Sequence, residues 1–395
     1  MSTPDMLSSE ADLLYSEAED DLRAAVRSLL ADRCPPSAVL AEAERRRPYD
    51  PALWRSLAVE MGTAGLLVPD KLGGQGATAR EAAVVLEELG RSVAPVPYLT
   101  SGVLAVSALL GCDTDEEQVA RLLGALAEGR AVGALALPLS TAPGGAPPAT
   151  VTAGADGALS GRIGGVAGAV GADVLLVPAE GPDGYGLYAV DIDAPGITGG
   201  GGGVTGGVTV EPLTSLDLTR PLAALHFAQA PARRLAGPDR ARAAVGRALM
   251  AGAGLLASEQ LGLAEWCLAE TVRHTKERHQ FGRPIGSFQA LKHRMARLWL
   301  GLVSARAAAR HAADALAADS LEVPIAVAVA QSYCARVAVH AAEECVQLHG
   351  GIGMTWEHPA HLYLKRAKSD EIALGTPGRH REALAGLVDL PAPVG

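Results

Sequence analysis

The chain has 395 residues, 34 Lys plus Arg against 44 Asp plus Glu, a net charge of −10 and 49% apolar residues. This length permits two or three domains with a sizeable core, and the acidic balance disfavours nonspecific attraction to nucleic acid. Met1 to Asp21 carry neither a basic n-region nor an apolar h-region, and no uninterrupted apolar run reaches membrane-spanning length, so a cytoplasmic protein without a membrane span is expected. Cys34, Cys112, Cys267, Cys334 and Cys345 are far apart and form no Cys-x-x-Cys pair, which fits reduced core cysteines better than disulfides or a zinc site.

Residues 1–130 read as a helical domain. Leu22, Ala25, Val26, Leu29 and Leu30 form one apolar stripe, and Val84, Val85, Leu86 and Leu89 contribute another. Between them lies a loop, Gly65 to Ala77, punctuated by Pro69, Gly73, Gly74 and Gly76. It has neither the spacing of a phosphate-binding P-loop nor a preceding buried strand. Residues 131–239 lose the helical period. Short apolar runs such as Val174-Leu-Leu-Val177 and Leu187-Tyr-Ala-Val190 predict strands, and Gly199 to Gly207 predicts a hairpin or surface loop.

Residues 240–395 are helical again. One helical pattern carries Leu261, Ala264, Leu268, Thr271 and Val272, and the next carries Phe288, Leu291, Met295, Leu298 and Leu302. The joint between them, Phe281 to Ser287, has two glycines and a proline, with Ser287 as the expected N-cap of the second helix. A third pattern, Cys334, Val337, Ala338, Ala341, Cys345 and Leu348, ends at Gly350-Gly351 as a helix C-terminus should. The order is α-β-α with segregated strands, an α+β fold. His349, His358 and His361 follow neither zinc-finger nor His-Glu-x-x-His spacing, so no metal is expected.

Three segments carry a resemblance. Arg278-His-Gln-Phe-Gly-Arg-Pro-Ile-Gly-Ser-Phe-Gln-Ala-Leu-Lys-His293, the Gly65 loop completed by Glu87-Glu-Leu-Gly-Arg91, and Gln347-Leu-His-Gly-Gly-Ile-Gly353 resemble the acyl-CoA dehydrogenase flavoprotein family. The resemblance implies an N-terminal helical domain, a small middle β domain and a C-terminal four-helix bundle. It implies an oligomeric oxidoreductase using FAD to desaturate an acyl thioester, carried on CoA or on acyl-carrier protein, with an electron-transferring flavoprotein as the family's electron acceptor. It assigns Arg278, Phe281, Gln347, Gly350, Gly351 and Thr376 to cofactor binding, the Arg278 and Gln347 segments reaching the FAD of a neighbouring subunit. Without the resemblance, Arg278 reads as a helix C-cap and Gln347 as incidental to a Schellman-type stop.

Two departures from the family pattern stand out. Where relatives hold the isoalloxazine ring with a Thr-Glu-Pro-x-x-Gly-Ser-like loop and a Lys-x-Trp-Ile-Thr-like strand, this chain has Ala136-Leu-Pro138, Ser140 to Gly145 and Arg162-Ile-Gly-Gly-Val166. Gly164 replaces the tryptophan and Val166 the hydroxyl residue. Where many relatives place the catalytic glutamate, Leu374 stands; where others place it, counting back from Arg278 leads to Gly252. Glu259, Glu265 and Glu371 read as surface or interface carboxylates and His274 as a helix-surface or substrate-channel residue, so the catalytic residue is unassigned. The retained features serve a neighbour's FAD and the lost ones serve the chain's own site. The expectation is a base-lacking subunit working beside a sister acyl-CoA dehydrogenase subunit. A homomeric repurposed flavoprotein and a non-catalytic scaffold or regulatory homologue are the alternatives.

Overall fold

The structure, a computed structural model, describes residues 13–45, 48–145, 150–192 and 204–391. Helices α1 (Glu17–Arg33), α2 (Pro36–Arg45), α3 (Pro51–Arg55), α4 (Ala79–Ser92), α5 (Val106–Leu110) and α6 (Glu117–Ala127) form the first region. Both α1 and α4 open with a reciprocal capping box, Ser16 with Glu19 and Thr78 with Glu81, which satisfies N–H groups that the first turn leaves free. Of the α1 stripe, Val26 and Leu30 are buried, whereas Ala25 is exposed.

Helix α4 is buried nearly all round because it lies between α1 and the long helix α7 (Pro238–Glu277). The α4–α7 crossing is backbone on backbone. A Cβ on Gly90 would lie 2.1 Å from the Glu259 carbonyl oxygen, and one on Gly262 would lie 1.9 Å from the Glu87 carbonyl oxygen. Only glycine permits that approach. The neighbouring Glu87 and Glu88 side chains are buried, and Arg27 Nη2 meets Glu88 Oε1 at 2.6 Å.

Strands β1 (Gly133–Leu135), β2 (Val151–Ala153), β3 (Leu159–Ala167), β4 (Val174–Gly181), β5 (Gly184–Asp191), β6 (Val204–Thr205), β7 (Val208–Leu213), β8 (Leu222–Ala230) and β9 (Arg233–Ala236) form one sheet. Its order is β6-β7-β8-β3-β2-β4-β5-β9, with β1 beside β4; β1 and β2 run parallel to β4 and the remaining pairings are antiparallel. The expected strands at Val174 and Leu187 are β4 and β5. β4 is apolar on both faces because Leu175 and Val177 join the core of the sheet while Val174 and Leu176 join the core shared with the helices. Gly206 and Gly207, both at positive φ, turn β6 into β7; the rest of the expected glycine hairpin, through 203, lies outside the described residues.

After α7, whose 40 residues span roughly 60 Å, the strands β10 (His279–Gln280) and β11 (Arg283–Pro284) form a two-residue hairpin. Helices α8 (Gln289–Ala317), α9 (Val323–His349), α10 (Ala360–Ile372) and α11 (Pro377–Leu387) follow, and α7, α8 and α9 pack on one another. α9 and its following turn, Val323–Met354, pass the length and hydropathy of a membrane span, but 61% of the apolar window is buried, as in a core helix. All five cysteines are free and buried.

Candidate functional site

The Arg278 corner is a tighter device than a helix-to-helix joint. Arg278 ends α7, donating its backbone N–H to the His274 carbonyl at 2.9 Å and accepting from the Ile285 N–H at 2.8 Å. Phe281 and Gly282 both take positive φ, 53° and 74°, the geometry that closes a two-residue hairpin. The turn lifts Phe281 into solvent at 90% exposure, an arrangement a large apolar residue adopts at a surface awaiting cover. Arg278 is exposed too, with no ion pair among the described residues. Ser287 is not the N-cap of α8: the capping position is Phe288, and Ser287 belongs to a short 3₁₀ turn ahead of it.

The Gln347 turn lies at the same end of the helices. α9 stops at Gly350, whose φ of 64° and ψ of −140° are accessible to glycine. Gln347, Gly350 and Gly351 are exposed, and a Cβ on either glycine would meet nothing within 4 Å. The His274 ring of α7 lies tilted against the His349 ring of α9 with centroids 4.2 Å apart, which joins this turn to the Arg278 corner. His274 is thus half-buried between helices rather than a free surface residue; burial and the neighbouring His349 hold its pKa below the usual imidazole value. An unpaired guanidinium, an apolar ring, an amide and two bare backbone units together suit a phosphate-bearing ligand arriving from outside the chain. Thr376 is exposed on a different segment, where its Oγ accepts the Arg379 N–H at 3.4 Å as the N-cap of α11.

The positions expected to hold a flavin ring in the chain's own site look different. Pro138 does pair with Val166, and the Leu139 N–H donates to the Gly165 carbonyl at 2.9 Å, so the loop and β3 are neighbours. Val166, however, is fully buried in the core of the sheet, and Gly164 leaves open space where a side-chain wall would stand. Neither residue supplies the flat apolar wall or a side-chain donor for an isoalloxazine ring, which leaves backbone amides as the donors there.

At the base position the chain is closed upon itself. Leu374 is 1% exposed, sits at φ 54°, donates its N–H to the Leu139 carbonyl at 2.7 Å and accepts from His380 Nε2 at 2.9 Å. Its Cδ1 points at Gly252 of α7, and Leu104 covers the same spot. The two places from which the family would supply a glutamate therefore converge, and aliphatic carbon fills the space between them.

The three glutamates singled out in the sequence, Glu259, Glu265 and Glu371, each lie beside basic side chains. Glu259 and Glu265 are not the surface groups expected from sequence. Glu259 is 1% exposed and receives Arg220 Nη2 at 2.7 Å and Arg366 Nη1 at 2.6 Å. Burial opposes its charge, but the two guanidinium groups prevail and its pKa lies below the usual range. Arg366 also holds Asp217 Oδ2 and Thr219 Oγ1, each at 2.5 Å, and Arg220 reaches Asp370 Oδ1 at 2.7 Å. Asp370 is pushed the other way, well above the usual carboxylate value, by burial and by Glu259, and its Oδ2 has no hydrogen-bond partner among the described residues. A proton there leaves two cations against two anions. Glu265 is mostly buried among Arg306 at 2.5 Å, Arg91 at 3.4 Å and Arg23 at 3.8 Å. Glu371 is half-buried, its carboxylate 3.8 Å from Lys368. The Asp217–Arg366–Glu259–Arg220–Asp370 set joins the loop before β8 to α7 and α10. It was not legible beforehand because its members lie up to 153 positions apart.

Comparison with known proteins identifies the family. Residues 16–130 match the acyl-CoA dehydrogenase N-terminal domain and residues 242–387 the acyl-CoA dehydrogenase C-terminal domain. The chain is 36% identical over 364 residues to acyl-CoA dehydrogenase IpdE2 of Mycolicibacterium smegmatis, covering 92% of this chain and 96% of that one. It is also 36% identical to the IpdE2 of Mycobacterium tuberculosis, covering 94% and 96%. Among solved structures it is similar to the ChsE4-ChsE5 complex from Mycobacterium tuberculosis, with TM-score 0.81 and 30% identity over 96% of this chain and 100% of that one. A variant of the Tcur3481-Tcur3483 steroid ACAD is similar at TM-score 0.80 and 30% identity, covering 94% and 98%. With two family domains in order and a relative matched along nearly its whole length, the chain belongs to the acyl-CoA dehydrogenase family of oxidoreductases.

Proposed function

We propose that this chain is the base-lacking subunit of a heteromeric, FAD-dependent enzyme that desaturates an acyl-CoA at its α,β carbons. The observation that carries the reading is the meeting of Gly252, Leu374 and Leu104: the two positions to which the resemblance assigns the base carry no carboxylate. Bound FAD supplies the hydride acceptor. This chain's part is to hold that cofactor in a sister subunit's site, Arg278 with a planar cation, Phe281 with an apolar face, Gln347 with its amide and Gly350-Gly351 with close backbone. The likeness to a ChsE4-ChsE5 complex and to a steroid ACAD supports a two-component assembly and makes a steroid-bearing acyl-CoA the first substrate to try.

The test is to purify the chain alone and together with a sister subunit that carries glutamate at the position of Leu374. Flavin absorbance, assembly mass and acyl-CoA-dependent dye reduction are then measured for both. The expected result is a lone chain without stoichiometric flavin or turnover, and a mixed assembly with both. A lone chain that carries one flavin and desaturates acyl-CoA overturns the proposal.

A further inference from the structure

Glu270, His349 and His358 converge although 88 positions separate the first from the last. Glu270 is on α7, His349 closes α9, and His358 lies in the loop leading to α10. Glu270 Oε1 is 3.8 Å from His349 Nε2 and 3.5 Å from His358 Nε2, and the three ligand atoms lie within 4.8 Å of one another. A tetrahedral ion with bonds of about 2.0 Å needs ligand atoms about 3.3 Å apart, so small side-chain rotations suffice.

The state of His349 makes this more than proximity. Its side chain is fully buried. Nδ1 lies 2.7 Å from the Cys345 carbonyl oxygen, which can only accept, so Nδ1 carries the proton. Nε2 then lies toward Glu270 as a buried atom without a hydrogen-bond partner among the described residues. An imidazole pinned through one nitrogen by a backbone carbonyl, with the other nitrogen free, is how proteins orient a histidine toward a metal. At 3.8 Å from Glu270, Nε2 is too far for a hydrogen bond that would otherwise account for it.

We propose that Glu270, His349 and His358 bind a divalent transition-metal ion of the zinc class, with water completing its shell. Two imidazoles and one carboxylate favour such an ion over magnesium or calcium, which prefer all-oxygen shells. The ion ties the last turns of α7 to the segment on either side of the Gly350 turn, acting as a structural clasp. Two contacts give way to it. Arg273, more than half exposed, releases its fork on Glu270 and keeps Glu277 at 2.6 Å. The Ala360 N–H gives up its 3.2 Å bond to His358 Nδ1. The expectation of no metal rested on spacing along the chain, and a ligand from another helix escapes that criterion.

The site is independent of flavin, and so is its test. The full-length chain, stripped with chelator, is titrated with CoCl2 and followed by ligand-field absorption. ZnCl2 binding is measured by calorimetry, and metal content after purification by mass spectrometry. The expected result is about one ion per chain, a tetrahedral Co2+ spectrum, and affinity reduced about tenfold or more in Glu270→Gln and in His358→Ala. Glu270 and His358 keep only 16% and 11% of their side chains exposed, so circular dichroism and a cooperative thermal transition establish that each variant is folded before its affinity is read. His340→Ala, on an exposed part of α9, binds as the wild type does. Absence of a Co2+ spectrum, or equal affinity in Glu270→Gln, His358→Ala and the wild type, overturns the proposal.

Discussion

Gly252 and Leu374 face each other across the α7–α10 side of the molecule: a Cβ on Gly252 would lie 3.0 Å from Leu374 Cδ1 and 2.4 Å from Leu104 Cδ2. The glycine is therefore a packing requirement imposed by two leucines, which meet it in one aliphatic contact. Gly252→Ala is expected to destabilise by about 1–3 kcal/mol through overpacking. Adding Leu104→Ala relieves the closer clash, so urea denaturation of the two single variants and the double variant should show coupling of about 0.5 kcal/mol or more. Strict additivity would contradict this packing.

Arg278 is exposed and unpaired among the described residues, so Arg278→Ala should change stability by no more than about 0.5 kcal/mol. In a mixed assembly with a sister subunit the same variant should lose flavin, read as the ratio of visible to protein absorbance. Arg278→Lys keeps the charge without the planar fork and should fall between the two. Full flavin retention by Arg278→Ala would remove the corner from the cofactor site.

The buried charge set predicts unequal outcomes for two isosteric changes. Glu259→Gln leaves Arg220 and Arg366 short of a buried counter-charge and is expected to cost about 3–5 kcal/mol by chemical denaturation. Burial and Glu259 oppose the charge of Asp370, and Asp370→Asn removes that charge while keeping an oxygen for Arg220 Nη1, so it should cost far less than Glu259→Gln. Equal losses in the two variants would show that Asp370 is ionised.

The same groups set a pH dependence. Asp217 and Glu259 have folded pKa values below their unfolded ones, so their stabilisation is present above the ordinary carboxylate range and lost as pH falls through the lower folded values. Asp370 has the reverse sign: its share is present at low pH and lost as pH rises from the carboxylate range through its raised folded value. Wild type should therefore weaken in acid, below about pH 4. The difference between Asp370→Asn and wild type should grow as pH rises from there. Denaturation midpoints across a pH series measure both slopes.

At the α4–α7 crossing, Gly262→Ala would drive a methyl to 1.9 Å from the Glu87 carbonyl oxygen, which a backbone cannot yield to without separating the helices. The expected result is loss of the cooperative unfolding transition or a thermal midpoint lowered by several degrees, about 4 °C or more. Gly246→Ala on the same helix meets nothing within 4 Å and should be harmless.

Sequence by itself determined the α-β-α order, the strands at Val174 and Leu187 and the end of α9 at Gly350, because hydrophobic period and glycine placement are local properties of a chain; the family came from the resemblance carried by the Arg278, Gly65 and Gln347 segments. It also placed Arg278, Phe281 and Gln347 at helix ends, where the structure exposes them. It misjudged Ser287, whose capping tendency lost to a hairpin made by Phe281 and Gly282. It misjudged Glu259 and Glu265 as well, since a charged residue on a helix looks solvated until its partners are known. Arg220 and Arg366 come to Glu259 from segments 39 and 107 positions away. Only tertiary structure decided that Gly252, Leu104 and Leu374 close one space, and that Glu270, His349 and His358 share another. Those relationships depend on how α7 crosses its neighbours, and the close approaches at Gly90 and Gly262 set that crossing in space.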